Sequence, residues 1–323
     1  MKSINVKDNV ELYMVVLLLV VMLTFSAQIP GVFWSASNFQ SIASQMPVLG
    51  VLAFAMAITM LTGGINLSII ATTNCCALVM AWVATHFAPS PGSALLMLLA
   101  GIGMACVIGT VNGMLIAVIR VSPILATLGM MTLLKGITIL LSKGSSIANF
   151  PAYILWLNNT NWLGVPLPLY LFIAVALGLW VVLERSPLGR RIYLIGSNQR
   201  AAHYSGINTP RTLVGVYIIS SLLCVVAALL MMSKLNSAKA AYGESYLLTS
   251  ILAAVLGGIN PDGGFGRIIG MVLALILLQM LESGLNIMGV SSYITMALWG
   301  CLLLAFLALK GVRMPFWRRQ GDR

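Results

Sequence analysis

Very few side chains in the apolar stretches of this chain are equipped for proton or metal chemistry. Only Lys135, Glu244 and Glu282 lie near or within those stretches, and no acid–base pair recurs at helical spacing. The motifs that carry hydrolytic or nucleotide chemistry are missing: there is no H-E-x-x-H, no G-x-S-x-G and no G-x-x-x-x-G-K-[ST]. The run G-G-F-G-R at 263–267 superficially resembles a phosphate loop, but it lacks the lysine followed by Ser/Thr and reads as a hairpin or helix entry. Cys75, Cys76, Cys106, Cys224 and Cys301 have no metal spacing and read as small apolar filler. His86 and His203 fall in loops on opposite sides and cannot share a metal. What the apolar stretches do contain is neutral hydrogen-bonding capacity: Asn66, Ser68, Thr72, Thr73, Asn74, Asn112, Thr127 and Thr132. The segment Thr62-Gly63-Gly64-Ile65-Asn66-Leu67-Ser68 interrupts the apolar pattern, its glycines permitting a tight turn and Asn66 a cap for the helix that follows. Gly63, Gly64, Asn66, Ser68, Asn74 and Asn112 are therefore candidates for a path whose amides and hydroxyls hydrogen-bond a neutral polyol. Ion-coupled carriers usually place carboxylates or histidines mid-membrane, and the scarcity of such groups weighs against proton or sodium coupling.

The elements that must position these residues are membrane helices. The chain of 323 residues is 60% hydrophobic and only 8% charged, with a mean hydropathy of +1.00, where a soluble chain carries roughly a quarter charged residues. The surface must face lipid, and the class is an all-α polytopic membrane protein with about ten spans in one domain, 1–323. Hydropathy predicts them near 11–28, 46–62, 68–87, 93–119, 123–141, 167–183, 212–232, 247–258, 268–285 and 293–309. The block at 247–258 is too short for a full crossing. It reads as a broken or tilted helix, with the glycine-rich run 257–264 completing the passage. Gly109 and Gly113, like Gly266 and Gly270, have the G-x-x-x-G spacing of close helix packing.

An even number of spans puts both termini on one side, and the charges then sort. Lys2, Lys7, Arg120, Arg267, the five arginines of 184–211 and the basic tail from Lys310 to Arg323 fall on the cytoplasmic side; only Lys143, Lys234 and Lys239 fall outside. The net charge of +11 is thus the positive-inside bias of membrane loops rather than a nucleic-acid footprint. Trp156 and Trp162, in the outer loop 143–166, fit an interfacial belt. The polar stretch 184–211 (E-R-S-P-L-G-R-R-I-Y-L-I-G-S-N-Q-R-A-A-H-Y-S-G-I-N-T-P-R) holds a short helical segment with small residues on one side. Such a helix presented to the cytoplasm docks another protein.

Five segments resemble one family, the permease subunits of bacterial ribose-type ABC sugar importers. T-G-G-I-N-L-S at 62–68 is similar to the family's G-G-I-D-L-S, and V-S-P-I-L-A-T-L-G at 121–129 to its P-F-I-V-T-L-G. The stretch 188–208 resembles its cytoplasmic G-R-x-I-Y-A-x-G-x-N-x-x-A-A-x-x-S-G-I loop, and 253–270 and 284–293 complete the match. Asn66 stands where the family usually has an acid, and Ser245-Tyr246-Leu247-Leu248 where it has G-Y-E-L.

The resemblance implies a multi-pass protein of the bacterial inner membrane that moves a monosaccharide and performs no catalysis itself. It implies partners: a second permease copy or paralogue, cytoplasmic ATPase subunits that bind the ATP and magnesium, and an extracytoplasmic sugar-binding protein. It also places the ATPase contact on Gly196, Asn198, Arg200, Ala201, Ala202, Ser205 and Gly206, with the coupling helix between Ser197 and Gly206. Another small polar solute, such as a signalling furanone, or an ion-coupled carrier working alone are the other readings.

Overall fold

The computed structural model describes residues 10–313 of the chain; Lys2, Lys7, Arg318, Arg319 and Arg323 lie outside them. The described chain is helical almost throughout: α1 (Val10–Gln28), α2 (Pro30–Phe33), α3 (Ala36–Met60), α4 (Ile69–His86), α5 (Pro91–Ala117), α6 (Pro123–Ser142), α7 (Ala152–Asn159), α8 (Leu167–Trp180), α9 (Pro187–Ser197), α10 (Gln199–Tyr204), α11 (Thr209–Leu235), α12 (Ser245–Leu256), α13 (Ile268–Ile287) and α14 (Ser292–Arg313). Among the described residues, eight helices are long and apolar enough to cross a membrane, and α12 and α14 add two shorter apolar segments. All ten predicted spans have a counterpart.

Helix starts follow a simple local rule. A polar cap precedes a proline at the head of the helix, so the fixed φ of the ring starts the turn where its missing N–H costs nothing. Ser90 and Pro91 open α5 with a capping box to Ser93, Ser186 and Pro187 open α9, and Asn208 with Pro210 opens α11. The 27-residue α11 is the central post, packed against α3, α4, α5, α7 and α9. Gly109 and Gly113 let α5 approach α11 until an added β-carbon would stand 2.7 Å from the Ile218 and Val214 α-carbons. That pair is therefore a packing device, whereas Gly266 and Gly270 meet Ile259 and Gly257 in the link around α12 instead.

Two departures from expectation matter for function. Residues 143–166 are not a plain loop. Strand β1 (Ile147–Ala148) pairs with β4 (Ser237–Ala238), α7 docks on α11 through buried Ile154, and β2 (Asn161–Trp162) forms a hairpin with β3 (Val165–Pro166). The second concerns α12. At 12 residues it is about 18 Å long against about 30 Å for the 20-residue α13. The stretch that makes up the difference is 236–244, before the helix, which descends from the end of α11 into the bundle. The glycine-rich run 257–264 lies instead at the opposite end, where Gly257 abuts the backbone of Met271 at the start of α13.

The sidedness read from the charges has a geometric counterpart. Arg267 Nη1 reaches Glu11 Oε1 at 3.3 Å, so the start of α1 and the α12–α13 link share one face, as a cytoplasmic N-terminus requires. On a background lacking native cysteines, a cysteine at Asn161 should react with a membrane-impermeant maleimide in intact spheroplasts. One at Ser205 should react only after permeabilisation, and the opposite pattern would reverse the topology.

Candidate functional site

The break between α3 and α4 is held by a knot of neutral polar side chains. Asn66 Oδ1 accepts from the Ser68 amide at 3.1 Å and from Ser68 Oγ at 2.7 Å, while Asn66 Nδ2 donates to Ser220 Oγ on α11 at 3.1 Å. Asn112 Nδ2 on α5 donates to Ser68 Oγ at 3.0 Å, and Ser220 Oγ donates to the Ala55 carbonyl at 2.7 Å. Thr127 Oγ1 on α6 accepts the Leu67 amide at 3.0 Å. One turn of irregular backbone thereby ties together α3, α4, α5, α6 and α11. Asn66, Ser68, Asn112, Thr127 and Ser220 are all buried. They face one another rather than an open passage in this conformation. Among the described residues, Asn112 Oδ1 and the hydroxyl of the fully buried Tyr217, which abuts Gly64, have no hydrogen-bond partner.

Beneath the knot, three glycine-bearing segments meet backbone to backbone. A β-carbon on Gly196, at the end of α9, would stand 2.0 Å from the Leu61 carbonyl and 2.4 Å from the Gly264 amide. The Gly264 amide donates to the Leu61 carbonyl at 3.0 Å. Gly263 would put a β-carbon 2.7 Å from the Gly63 amide, and Gly63, Gly263 and Gly264 all have positive φ of +81°, +90° and +87°. Tyr193 of α9 adds a hydrogen bond from its hydroxyl to the Gly266 carbonyl at 2.8 Å. Burial pushes that phenol up to about 12, with Glu184 adding to the shift and Arg267 opposing it, so it remains a donor at physiological pH. Gly189, two turns before Gly196, faces the Leu183 carbonyl just as closely.

The segment 184–211 contains two helices where one was expected. Helix α9 is the seated one, with Gly189, Ile192 and Ile195 buried. Helix α10 is the presented one. Asn198 caps it by accepting the Ala201 amide at 3.0 Å, and Gly206, at φ +82°, closes it. Arg200, Ala201, His203, Ser205 and Gly206 are exposed, and Tyr204 is 88% exposed. Ala202 differs from the expectation that it meets a partner: it is 4% exposed and packs with Ala117, Ile195 and Leu213 of its own chain. It anchors α10 rather than presenting it.

Asn74 stands apart from the knot, six residues along from Ser68. Its Nδ2 donates to the carbonyls of Ala240 and Tyr242, at 3.1 and 2.9 Å, in the descending stretch 236–244. Close by, Lys135 Nζ on α6 forms an ion pair with Glu244 Oε1 at 2.6 Å. Glu282 is half-buried on α13, within electrostatic reach of Lys234. Among the described residues no group of His, Cys, Asp or Glu is placed to hold a metal ion.

Residues 38–307 match the family described as branched-chain amino acid transport system / permease component. The chain belongs to that family. It is a multi-pass membrane permease subunit of an import system, not an enzyme. Curated relatives include the ribose import permease protein of Bacillus subtilis strain 168, 34% identical over 282 residues, which are 86% of this chain and 85% of the relative. An autoinducer 2 import system permease protein of Photorhabdus temperata is 35% identical over 278 residues, 84% of this chain and 82% of the relative. Its counterpart in Escherichia coli O157:H7 is 34% identical over 310 residues, 94% and 92% of the two chains. No solved structure matches.

Sequence reasoning did not pair Lys135 with Glu244, since 109 residues separate them, and it missed Ser220, which looks like any small residue inside a span. The glycine junction yields the sharpest stability test of the permease. Gly196→Ala should cost about 1–3 kcal/mol, as overpacking against immobile backbone does, and lower the melting temperature in detergent by several degrees. Gly215→Ala, where an added β-carbon meets nothing within 4 Å, should leave it unchanged.

Proposed function

We propose that the permease is the membrane subunit of an ATP-driven importer for a small neutral polyhydroxylated solute, a ribose-type monosaccharide. The observation that carries this reading is a short, exposed, capped helix, α10, that follows directly on α9, whose Gly196 sits in the backbone junction that also holds the α3–α4 break. A push on α10 from an ATPase is passed through Gly196 to Leu61 and Gly264 without a soft side chain intervening. In this reading Gly63, Gly64, Asn66, Ser68 and Asn112 form the inner gate, closed here by their mutual hydrogen bonds, and Asn74 lies on its outer side. The unsatisfied Asn112 Oδ1 and Tyr217 hydroxyl leave hydrogen-bonding capacity for a passing polyol. The partners are cytoplasmic ATPase subunits carrying ATP and magnesium, an extracytoplasmic solute-binding protein, and a second permease copy or paralogue.

The relatives' names support a solute of this size: one imports ribose and two import autoinducer 2. A signalling molecule of the autoinducer 2 kind is thus the second reading, with the same architecture. The family description names branched-chain amino acids, whereas relatives matched over more than four fifths of both chains are import permeases for ribose or autoinducer 2.

Reconstituted with its ATPase and binding protein, the permease should accumulate labelled D-ribose or autoinducer 2 only when ATP is supplied. Accumulation that ignores ATP and collapses with the ion gradient would make it a carrier and overturn the proposal. The docking face has its own test. Ala201→Trp should lower ATPase association and uptake tenfold or more with an unchanged melting temperature. Ala202→Trp should destabilise the permease itself, because its cavity is filled by Ala117, Ile195 and Leu213. Equal stability and uptake in both variants would remove α10 from the coupling role.

A further inference from the structure

The ion pair between Lys135 and Glu244 is in an expensive place. Lys135 lies twelve residues into α6, about 18 Å from the cytoplasmic end of that helix, within a hydrocarbon layer about 30 Å thick. Its side chain and that of Glu244 are 46% and 56% exposed on the single chain. Charges at this depth do not face lipid; they line protein-bounded, water-filled space. The adjoining backbone says the same. Residues 236–244 run irregularly into the bundle, with two carbonyls held by Asn74, and irregular backbone at membrane depth is tolerated only against protein or a water-filled cavity. A half-open cleft of about 200 Å³ lies there, where Lys135, Glu244 and Asn74 meet the apolar side chains of Ile70, Met131 and Leu247.

We propose that Lys135 and Glu244 form a solute-binding station in the translocation path, built for a neutral compound with adjacent hydroxyl groups. Several features select that class. An ammonium group donates up to three hydrogen bonds and a carboxylate only accepts. Standing 2.6 Å apart, they present to neighbouring hydroxyls one strong donor and one strong acceptor, and hydroxyls do both. The two charges cancel, so the site offers neither a cation nor an anion an uncompensated partner. The volume equals the liquid share of roughly six or seven waters and falls below the roughly 300–1,000 Å³ of sites for drug-sized ligands, which suits a single small polyol. As a fastener between α6 and α12 the pair is poorly made, since about half of each side chain is open. Asn74 is the positioning residue, fixing the floor of the cavity through Ala240 and Tyr242.

The station rests on the importer reading above, and the two can fail separately. The complex of permease, ATPase and binding protein is reconstituted in proteoliposomes with Leu247→Cys as the sole cysteine. Modification of that thiol by a small hydrophilic methanethiosulfonate reports whether the cavity is occupied. D-ribose-loaded binding protein with ATP should slow the modification at least fivefold relative to empty binding protein with ATP, autoinducer 2 serving as the probe if the complex accumulates that compound instead. Lys135→Met and Glu244→Gln should each remove the protection and cut uptake at least tenfold, while the complex with the ATPase still assembles. A complex that accumulates solute but shows no protection at Leu247→Cys overturns the station and leaves the importer intact. So does wild-type uptake in both charge variants. Absence of ATP-dependent uptake by the unmodified complex defeats the importer reading itself.

Discussion

Three stretches of main chain touch with no side chain between them, and the cytoplasmic half of the permease is arranged around that contact. The end of α3, the end of α9 and the loop after α12 converge on Gly63, Gly196, Gly263 and Gly264. Gly63, Gly263 and Gly264 have positive φ, and Gly196, which does not, is required by its neighbours' backbone: a β-carbon there would overlap a carbonyl at 2.0 Å. Backbone is the stiffest material available to a protein, because close-packed groups transmit displacement instead of absorbing it. A joint made this way keeps the segment 184–211 in register with the α3–α4 break. It also binds that break to α13, whose first turn begins at Ile268, directly after the loop.

The polar residues fall into two sets with different physics. Asn66, Ser68, Asn112, Thr127 and Ser220 are neutral and buried, and nearly every hydrogen bond they offer is taken by another member or by backbone. Such a network costs little to keep inside a membrane protein and much to leave half-made. In the gate proposed above, the network would close either on itself or on a passing solute. Lys135 and Glu244 are charged, open, and set among irregular backbone. Their cost is accepted only where water or solute reaches them. In the reading proposed above, the first set is the inner gate and the second the solute station.

Much of this was legible in the sequence, for reasons that can be named. Apolar runs of membrane length, caps followed by proline, and the bias of arginine to one side are local signals, so the ten helices and their sidedness could be read directly. The T-G-G-I-N-L-S break was visible because two glycines and two polar residues interrupt an apolar run. What those residues do was not visible, since Ser220 and Thr127 come from helices 154 and 60 residues away. Helix α9 was overlooked because its charged face, with Arg190 and Arg191, conceals in composition an inner face of Gly189, Ile192 and Ile195. Ala202 was assigned to the wrong side because a six-residue helix has too few positions for periodicity to say which face is buried. The short span at 247–258 was noticed, but length alone does not say at which end a helix is short. That followed only from Asn74 reaching Ala240 and Tyr242.

The short span is also what joins the two functional ends. The first residues of α12 follow Glu244, whose carboxylate meets Lys135 beside the cavity. Its last turn runs into Gly257, packed against α13, and from there into the loop that carries Gly263 and Gly264. Twelve residues of continuous helix, about 18 Å, thus separate the charged pair from the glycine junction. A helix of this length is a rod on the scale of the motions involved. In the proposed mechanism a displacement of the junction driven from α10 would move the carboxylate of Glu244 relative to Lys135 on α6, which is held to the break separately, by Thr127 and by Pro123 against Gly64. A full-length span would have placed Glu244 at the membrane surface. In the proposed mechanism, by stopping halfway α12 would bring a cytoplasmic mechanical input to the depth where a solute is held.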